Sequence, residues 1–293
     1  MLSILIPTYN YDITKLITEL HQQCRDIPHL KYEIIVYEDG TTNRAILDLH
    51  KNLTGIKYYY YTKNIGRTAA RNFLAHKAVF NTLLFLDADT LPRTKTLIKK
   101  YITISQKANQ PSAIFGGCSY KADSYSKDNS LRYYYGKKRE ENSAVKRNKN
   151  PYTYVFSGNF IIEKKLFLSL KIPLTNIYGM DNYFSYLLKK NNVEIIHIDN
   201  EIIHLGIESN IDFFNKSLTS AKYRKENMLE CYEIITSNSL LKTYNQLNFF
   251  PLNILLKGSF KLLDNTLKKL FFKPVPSLRA FDLYRLLYLF NLN

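Results

Sequence analysis

Four short apolar runs frame this chain: Leu2–Pro7, Glu33–Tyr37, Ile56–Tyr61 and Leu83–Leu86. Polar turn residues close each run. Between them, apolar residues recur at helical spacing, as in Leu16, Ile17, Leu20 and Cys24, or Ile46, Leu47, Leu49 and Leu53. Runs of four or more apolar residues read as strands buried on both faces, and their alternation with helices predicts a parallel sheet with right-handed crossovers. The fourth run ends in Asp87-Ala88-Asp89. On a strand, residues i and i+2 point the same way, so both carboxylates are expected to project together from its carboxyl end. Ligands sit at that rim in open α/β sheets. Two hard oxygen donors there suit Mg2+ or Mn2+ carrying a phosphate-bearing substrate. The plainer alternative is that two Asp stop a strand and cap the following helix.

A chain of 293 residues can bury one large core, or one core with an appendage. The formal net charge of +16 calls for anionic partners, whether nucleic acid, a membrane surface or phosphorylated substrates. Cys24, Cys118 and Cys231 are widely spaced and odd in number, which supports neither a disulfide framework nor a structural zinc site. Met1 leads directly into a strand without a signal-peptide pattern, and no apolar run approaches the ~20 residues needed to span a bilayer. The expected location is cytoplasmic, with a peripheral position on the inner face of the membrane as a further expectation.

Beyond Asp89, Thr96–Ile104 reads as a helix and Ala113–Tyr120 as a strand. Residues 121–150 are polar and basic, with Lys137-Lys138-Arg139 and Lys146-Arg147-Asn148-Lys149, the composition of a flexible solvated segment or of a lid beside a phosphate site. Order is expected again at Tyr154–Ile162, with helices over Lys164–Leu170 and Asp181–Lys189 and a strand over Val193–Ile198. The remainder is helical. One helix is expected over Lys222–Ile235, and another follows Pro251, where Leu256, Phe260, Leu263, Leu267 and Leu270 share a face and Lys257, Lys261, Lys268 and Lys269 lie off it. That amphipathic pattern fits an anionic membrane surface, or packing of the apolar face on the rest of the protein.

No Walker loop, G-x-G-x-x-G, G-x-S-x-G or H-E-x-x-H occurs. What remains is a set of polar residues at strand ends: Thr8, Tyr9, Asp39, Asp87, Asp89, Asp181 and His204. Together with Ile6-Pro7-Thr8-Tyr9-Asn10, Glu38-Asp39-Gly40-Thr41, Asn64-Ile65-Gly66-Arg67, Ala70-Arg71-Asn72, Gly158-Asn159-Phe160, Tyr178-Gly179-Met180-Asp181 and His204-Leu205-Gly206, the ordered set resembles the family 2 glycosyltransferases. These are GT-A enzymes that use nucleotide sugars, and the likeness covers roughly residues 2–210.

The resemblance implies an α/β, GT-A-like nucleotide-binding domain with a mainly parallel central sheet over residues 1–209, and a helical C-terminal extension over 210–293. It implies donor binding by Pro7, Thr8, Tyr9, Asp39, Asn64, Gly66, Arg71, Asp87 and Ala88, with Asp89 and His204 as ligands of Mn2+ or Mg2+. A histidine after a strand is otherwise commonly structural. Members of this family commonly carry Gly-(x)-Glu-Asp where the catalytic base lies, and this chain has Gly179-Met180-Asp181-Asn182. Either Asp181 is the base, or Asn182 stands in the base's place and the site has lost its acid. The implied activity is inverting transfer from a nucleotide sugar, a UDP-sugar first among them, to a hydroxyl of a glycan or lipid-linked acceptor in surface polysaccharide synthesis. Two other readings compete. A nucleotidyltransferase would use a similar metal–nucleotide site but needs a Gly-rich N-terminal loop that Pro7-Thr8-Tyr9-Asn10 does not supply. A nucleic-acid-binding protein could stack bases on Arg132-Tyr133-Tyr134-Tyr135-Gly136-Lys137. No recognition module accompanies that run, so nucleic acid is not the expected partner.

Overall fold

Leu2–Thr8 forms β1, and every one of its seven residues is buried, as befits a central strand covered on both faces. The computed structural model describes residues 1–107, 112–174, 179–229, 235, 238–248 and 252–292. In chain order, β1 is followed by α1 (Thr14–Arg25), β2 (Tyr32–Asp39), α2 (Arg44–Lys51), β3 (Ile56–Tyr61), α3 (Arg67–Lys77), β4 (Thr82–Leu86), β5 (Thr90–Pro92) and α4 (Leu97–Ser105). Next come β6 (Ser112–Phe115), β7 (Cys118–Ser119), α5 (Ser130–Tyr135), α6 (Ala144–Lys149), β8 (Asn159–Glu163), α7 (Lys164–Ser169), α8 (Asp181–Lys190), β9 (Glu194–His197) and β10 (Ile202–His204). Among the described residues the helices that follow are α9 (Asn210–Met228), α10 (Ser239–Asn248), α11 (Leu252–Phe271) and α12 (Leu278–Asn291).

The chain divides into two compact units, the first comprising Met1–Ser119, Glu141–Asn176 and Leu187–Gly206. Its main sheet has seven strands in the order β3-β2-β1-β4-β8-β6-β9. All neighbours are parallel except β8, which runs antiparallel to both β4 and β6. The expected α/β fold with a mainly parallel sheet is therefore present. Helix α1 buries Leu16, Ile17, Leu20 and Cys24, the four residues whose spacing marks its inner face. A second, three-stranded sheet has the order β5-β10-β7.

The single strand expected over Ala113–Tyr120 is two short ones. Gly117 (φ +83°) turns the backbone between them, and a Cβ at Gly116 would collide with the Asn200 carbonyl and the Asn159 amide. The glycine pair thus lets the chain leave the large sheet and enter the small one. The basic run 121–150 also departs from its composition. It folds into short helical pieces, and Arg132 and Arg147 are buried. Arg147 donates to the carbonyls of Phe115, Gly116, Ile198 and Asn142, so a buried guanidinium ties α6 to the ends of β6 and β9.

The second unit comprises Tyr120–Glu140, Ile177–Tyr186 and Ile207–Asn293. Leu131 of α5 is buried with Phe213 and Phe214 of α9, Leu267 and Phe271 of α11, and Phe281 and Tyr284 of α12. Tyr135 packs its ring on Phe213, and Arg132 bonds Glu140 and Tyr120, so these parts of the basic aromatic run face inward and do not form a base-stacking surface. The helix expected over Lys222–Ile235 is α9, which begins earlier and ends at Met228; residues 230–234 lie outside the described residues. Among the described residues no helix is long and apolar enough to cross a membrane.

Candidate active site

Three loops at the carboxyl ends of β1, β2 and β4 carry most of the residues singled out from the sequence, and all three belong to the first unit. After β2, Gly40 adopts φ +77°, which turns the chain sharply past Asn64. Asp39 then accepts the backbone N–H of Ile65 at 2.7 Å and of Gly66 at 2.9 Å. Asn64 Nδ2 donates to the Asp39 carbonyl at 2.8 Å. Gly66, at φ +87°, opens α3. The Asp39 carboxylate therefore sits at the amino end of α3, where the peptide dipoles favour negative charge. Burial nevertheless raises its pKa, with the two N–H bonds opposing. Each oxygen keeps a lone pair for a further donor.

A buried network ties these loops together, and His50 is its one member that no sequence motif marks. Glu38 and His50 are both fully buried, with His50 Nδ1 2.6 Å from Glu38 Oε2. Nε2 of the same ring faces the Ile13 N–H at 3.2 Å, so Nε2 accepts and Nδ1 donates to Glu38. Glu38 also takes the Thr41 hydroxyl, whose oxygen accepts the Asn10 N–H at 2.7 Å. Asn10, at φ +49°, in turn accepts from Thr42 N at 3.2 Å. The loop Thr8–Asn10 is thereby fastened to the loop after β2. Thr8 is buried and donates to the Tyr11 carbonyl, whereas the Tyr9 ring is exposed. Pro7 is buried within β1. The signal available in the sequence was a charged residue at the end of an apolar run and a histidine at the end of α2.

The two carboxylates after β4 do not behave as strand neighbours. The strand ends at Leu86, so its alternation does not extend to Asp87 and Asp89. Asp87 is buried and accepts from Arg71 Nη2 at 2.6 Å, while Arg67 Nη1 lies 3.4 Å from its other oxygen. Arg71 also donates to Ser157 Oγ at 2.7 Å. Burial alone would raise the Asp87 pKa, but Arg67, Arg71 and His204 together hold it below the usual carboxylate value. Ala88 is buried between the two acids.

Asp89 takes a different route. Thr90 pairs with His204 across β5 and β10, and Leu205 N donates to the Asp89 carbonyl at 2.8 Å. His204 Nε2 comes to 3.6 Å from Asp89 Oδ2. A Cβ on Gly206 would collide with the same carboxylate oxygen, so only glycine leaves this cradle open. Tyr11, whose phenol is pushed up by burial and by Asp89, stands beside it.

Among the described residues no group of three or more His, Cys, Asp or Glu assembles as a metal cage. One carboxylate and one imidazole still fit a divalent ion of the Mg2+ or Mn2+ type, which is commonly held by one or two protein ligands with phosphate oxygens and water completing the shell.

A family model described as glycosyl transferase family 2 matches residues 3–167, more than half of the chain. The chain belongs to that family. The match spans the segments that carry Thr8, Asp39, Gly66, Arg71, Asp87 and Asp89. No curated protein matches the chain by sequence. Among solved structures, residues 1–349 of TarS from S. aureus are 16% identical with a TM-score of 0.51, covering 97% of this chain and 89% of that one. The same protein in complex with UDP-GlcNAc is 18% identical, with a TM-score of 0.54 over 95% of this chain and 82% of that one. The mannosyltransferase PcManGT from Pyrobaculum calidifontis, in complex with GDP-Man and Mn2+, is 14% identical with a TM-score of 0.58, covering 99% and 85%. Likeness at these identities establishes the GT-A fold.

In this family 2 glycosyltransferase, Asp181 is the first residue of α8 and lies in the second unit. Gly179 before it has φ +89°, and a Cβ there would collide with Ser220. The side chain of Asn182 donates to the Gly179 carbonyl at 3.2 Å and accepts from Asn238 at 3.1 Å. Its amide therefore helps to hold the turn into α8. Tyr178 lies outside the described residues.

Proposed function

We propose that this glycosyltransferase moves a sugar from a UDP-sugar to a hydroxyl of a glycan or lipid-linked acceptor, with inversion at the anomeric carbon, in surface polysaccharide synthesis. Residues 1–209 form its donor-binding part and 210–293 its helical extension. The observation that carries the reading is the meeting of Asp89 and His204 across β5 and β10, with the carboxylate backed onto Gly206. Asp89 and His204 are the residues that would hold a divalent ion, Mn2+ or Mg2+, and such an ion would supply positive charge beside the donor diphosphate. Asp39, with Pro7, Thr8, Tyr9, Asn64 and Gly66, holds the nucleoside. Arg71, Asp87 and Ala88 complete the donor pocket, with Arg71 fixing the Asp87 carboxylate. Asp181 accepts the proton of the acceptor hydroxyl as its oxygen bonds to the anomeric carbon and the bond to the diphosphate breaks.

The test is calorimetry of UDP with and without Mn2+. Wild-type protein is expected to bind UDP at least about tenfold more tightly with Mn2+, a difference of ~1.4 kcal/mol. Asp89→Ala should remove that gain without lowering the melting temperature. An affinity indifferent to Mn2+ in both proteins would overturn the metal assignment.

A further inference from the structure

Helix α11 turns one face inward, where Leu256, Phe260, Leu267 and Phe271 meet the aromatic core of the second unit. Its other face is also apolar. Ile254, Leu255 and Leu262 are 74%, 68% and 82% exposed. Ile254, Gly258 and Leu262 follow one another at intervals of four residues, and Leu255 lies seven before Leu262, so all four share one side of the helix. Among the described residues nothing lies within 4 Å of a Cβ built on Gly258. Single exposed apolar residues are ordinary, but three large aliphatic side chains on one open face mark a surface made to be covered.

Charge identifies the cover. Lys257, Lys261 and Lys269 of the same helix are exposed, and Lys273 follows it. The helix has one acid, Asp264, and its carboxylate is turned to Tyr284 Oη at 2.7 Å and Lys268 Nζ at 3.0 Å on the inner side. The outer face of the helix is thus aliphatic and cationic, and the helix itself places no acid on it. Two copies apposed through it would bring like charges together, whereas an anionic bilayer offers acyl chains to the leucines and phosphates to the lysines. We propose that this face of α11 seats the protein on an anionic membrane surface, with Ile254, Leu255 and Leu262 at the headgroup–acyl boundary. This inference does not depend on the transferase reading.

Cosedimentation of the full-length protein with vesicles tests it. Binding is expected to vesicles of phosphatidylcholine with phosphatidylglycerol at low salt, and not to phosphatidylcholine alone. Replacing both Ile254 and Leu262 with Asn should weaken it by roughly tenfold or more at an unchanged melting temperature, because both side chains are already exposed. Lys257→Gln with Lys261→Gln should weaken it about 25-fold, from roughly fivefold per lysine near an anionic leaflet, and added salt should do the same. Failure of the wild type to bind anionic vesicles overturns the proposal. So does undiminished binding by the Ile254→Asn, Leu262→Asn protein, or equal binding to neutral vesicles. A monomer–dimer equilibrium without lipid that Leu262→Asn abolishes would assign the face to a second copy instead.

Discussion

Asp87 and Asp89 stand two residues apart and have opposite needs. Asp87 is a buried charge matched to Arg71, so its replacement is a question of stability first. Asp87→Asn keeps the shape but leaves a buried guanidinium without its counter-charge, and we expect a loss of about 3–5 kcal/mol in denaturant unfolding. Because the folded pKa is depressed, the contribution of this pair is fully present above the ordinary carboxylate value of about 3.9 and fades as pH falls through the lower folded value. The acid limb of the wild-type stability curve should therefore flatten in Asp87→Asn, and an unaltered limb would remove the pair from that role. Asp181 poses the converse case. Asn caps a helix about as well as Asp but cannot accept a proton, so Asp181→Asn should keep its melting temperature and UDP affinity while transfer falls ~100-fold or more. Retained turnover would mean that the base lies elsewhere. It would not transfer the role to Asn182, whose amide is engaged with Gly179 and Asn238.

At the scale of elements, the first four strands were legible because each is a run of apolar residues closed by a turn, and the parallel order followed from the helices between them. What could not be read was the break at Gly116-Gly117, since local pattern does not reveal that a strand changes sheets. Nor could the Glu38–His50 pair be read. Its partners are 12 residues apart, and only the crossover of β2 into α2 makes them meet. The shared projection expected of Asp87 and Asp89 was not legible as geometry, because the strand ends at Leu86, directly before them. The buried network has a consequence for binding. His50→Ala would leave the Ile13 N–H and one Glu38 oxygen without their partner, a cost of ~1–3 kcal/mol for each buried group, and would loosen the tie between Thr41 and Asn10. We expect a donor KM raised about tenfold with little change in kcat, the signature of a positioning residue. His50→Gln, which can donate to Glu38 and accept from Ile13, should restore most of it. Equal loss in both variants, or a fall in kcat alone, would refute the positioning role.

At the scale of the whole molecule, the basic run 121–150 misled because composition alone reads lysine and arginine as solvated, while Arg132 and Arg147 are buried among acceptors. The same run bears on where the chain can be divided. A cut after residue 209 looks natural in the sequence, since the family motifs end there. Yet Leu131 is buried among residues of α9, α11 and α12, and Tyr135 rests on Phe213 and Phe281, all within the second unit. Residues 1–209 alone would expose Leu131 and Tyr135 and leave Arg132 without the Phe213 ring, 5.2 Å from its guanidinium. Losing the burial of a leucine and a tyrosine costs on the order of 4 kcal/mol, a large fraction of a domain's total stability. We therefore expect residues 1–209 to bind a hydrophobic dye and to aggregate on mild heating. The donor loops should still bind UDP at low temperature, because Asp39, Arg71, Asp89 and His204 all lie in the first unit. If the truncated chain instead melts cooperatively at the wild-type temperature, the helical extension contributes nothing to the rest of the fold, and the division at residue 209 is a true domain boundary.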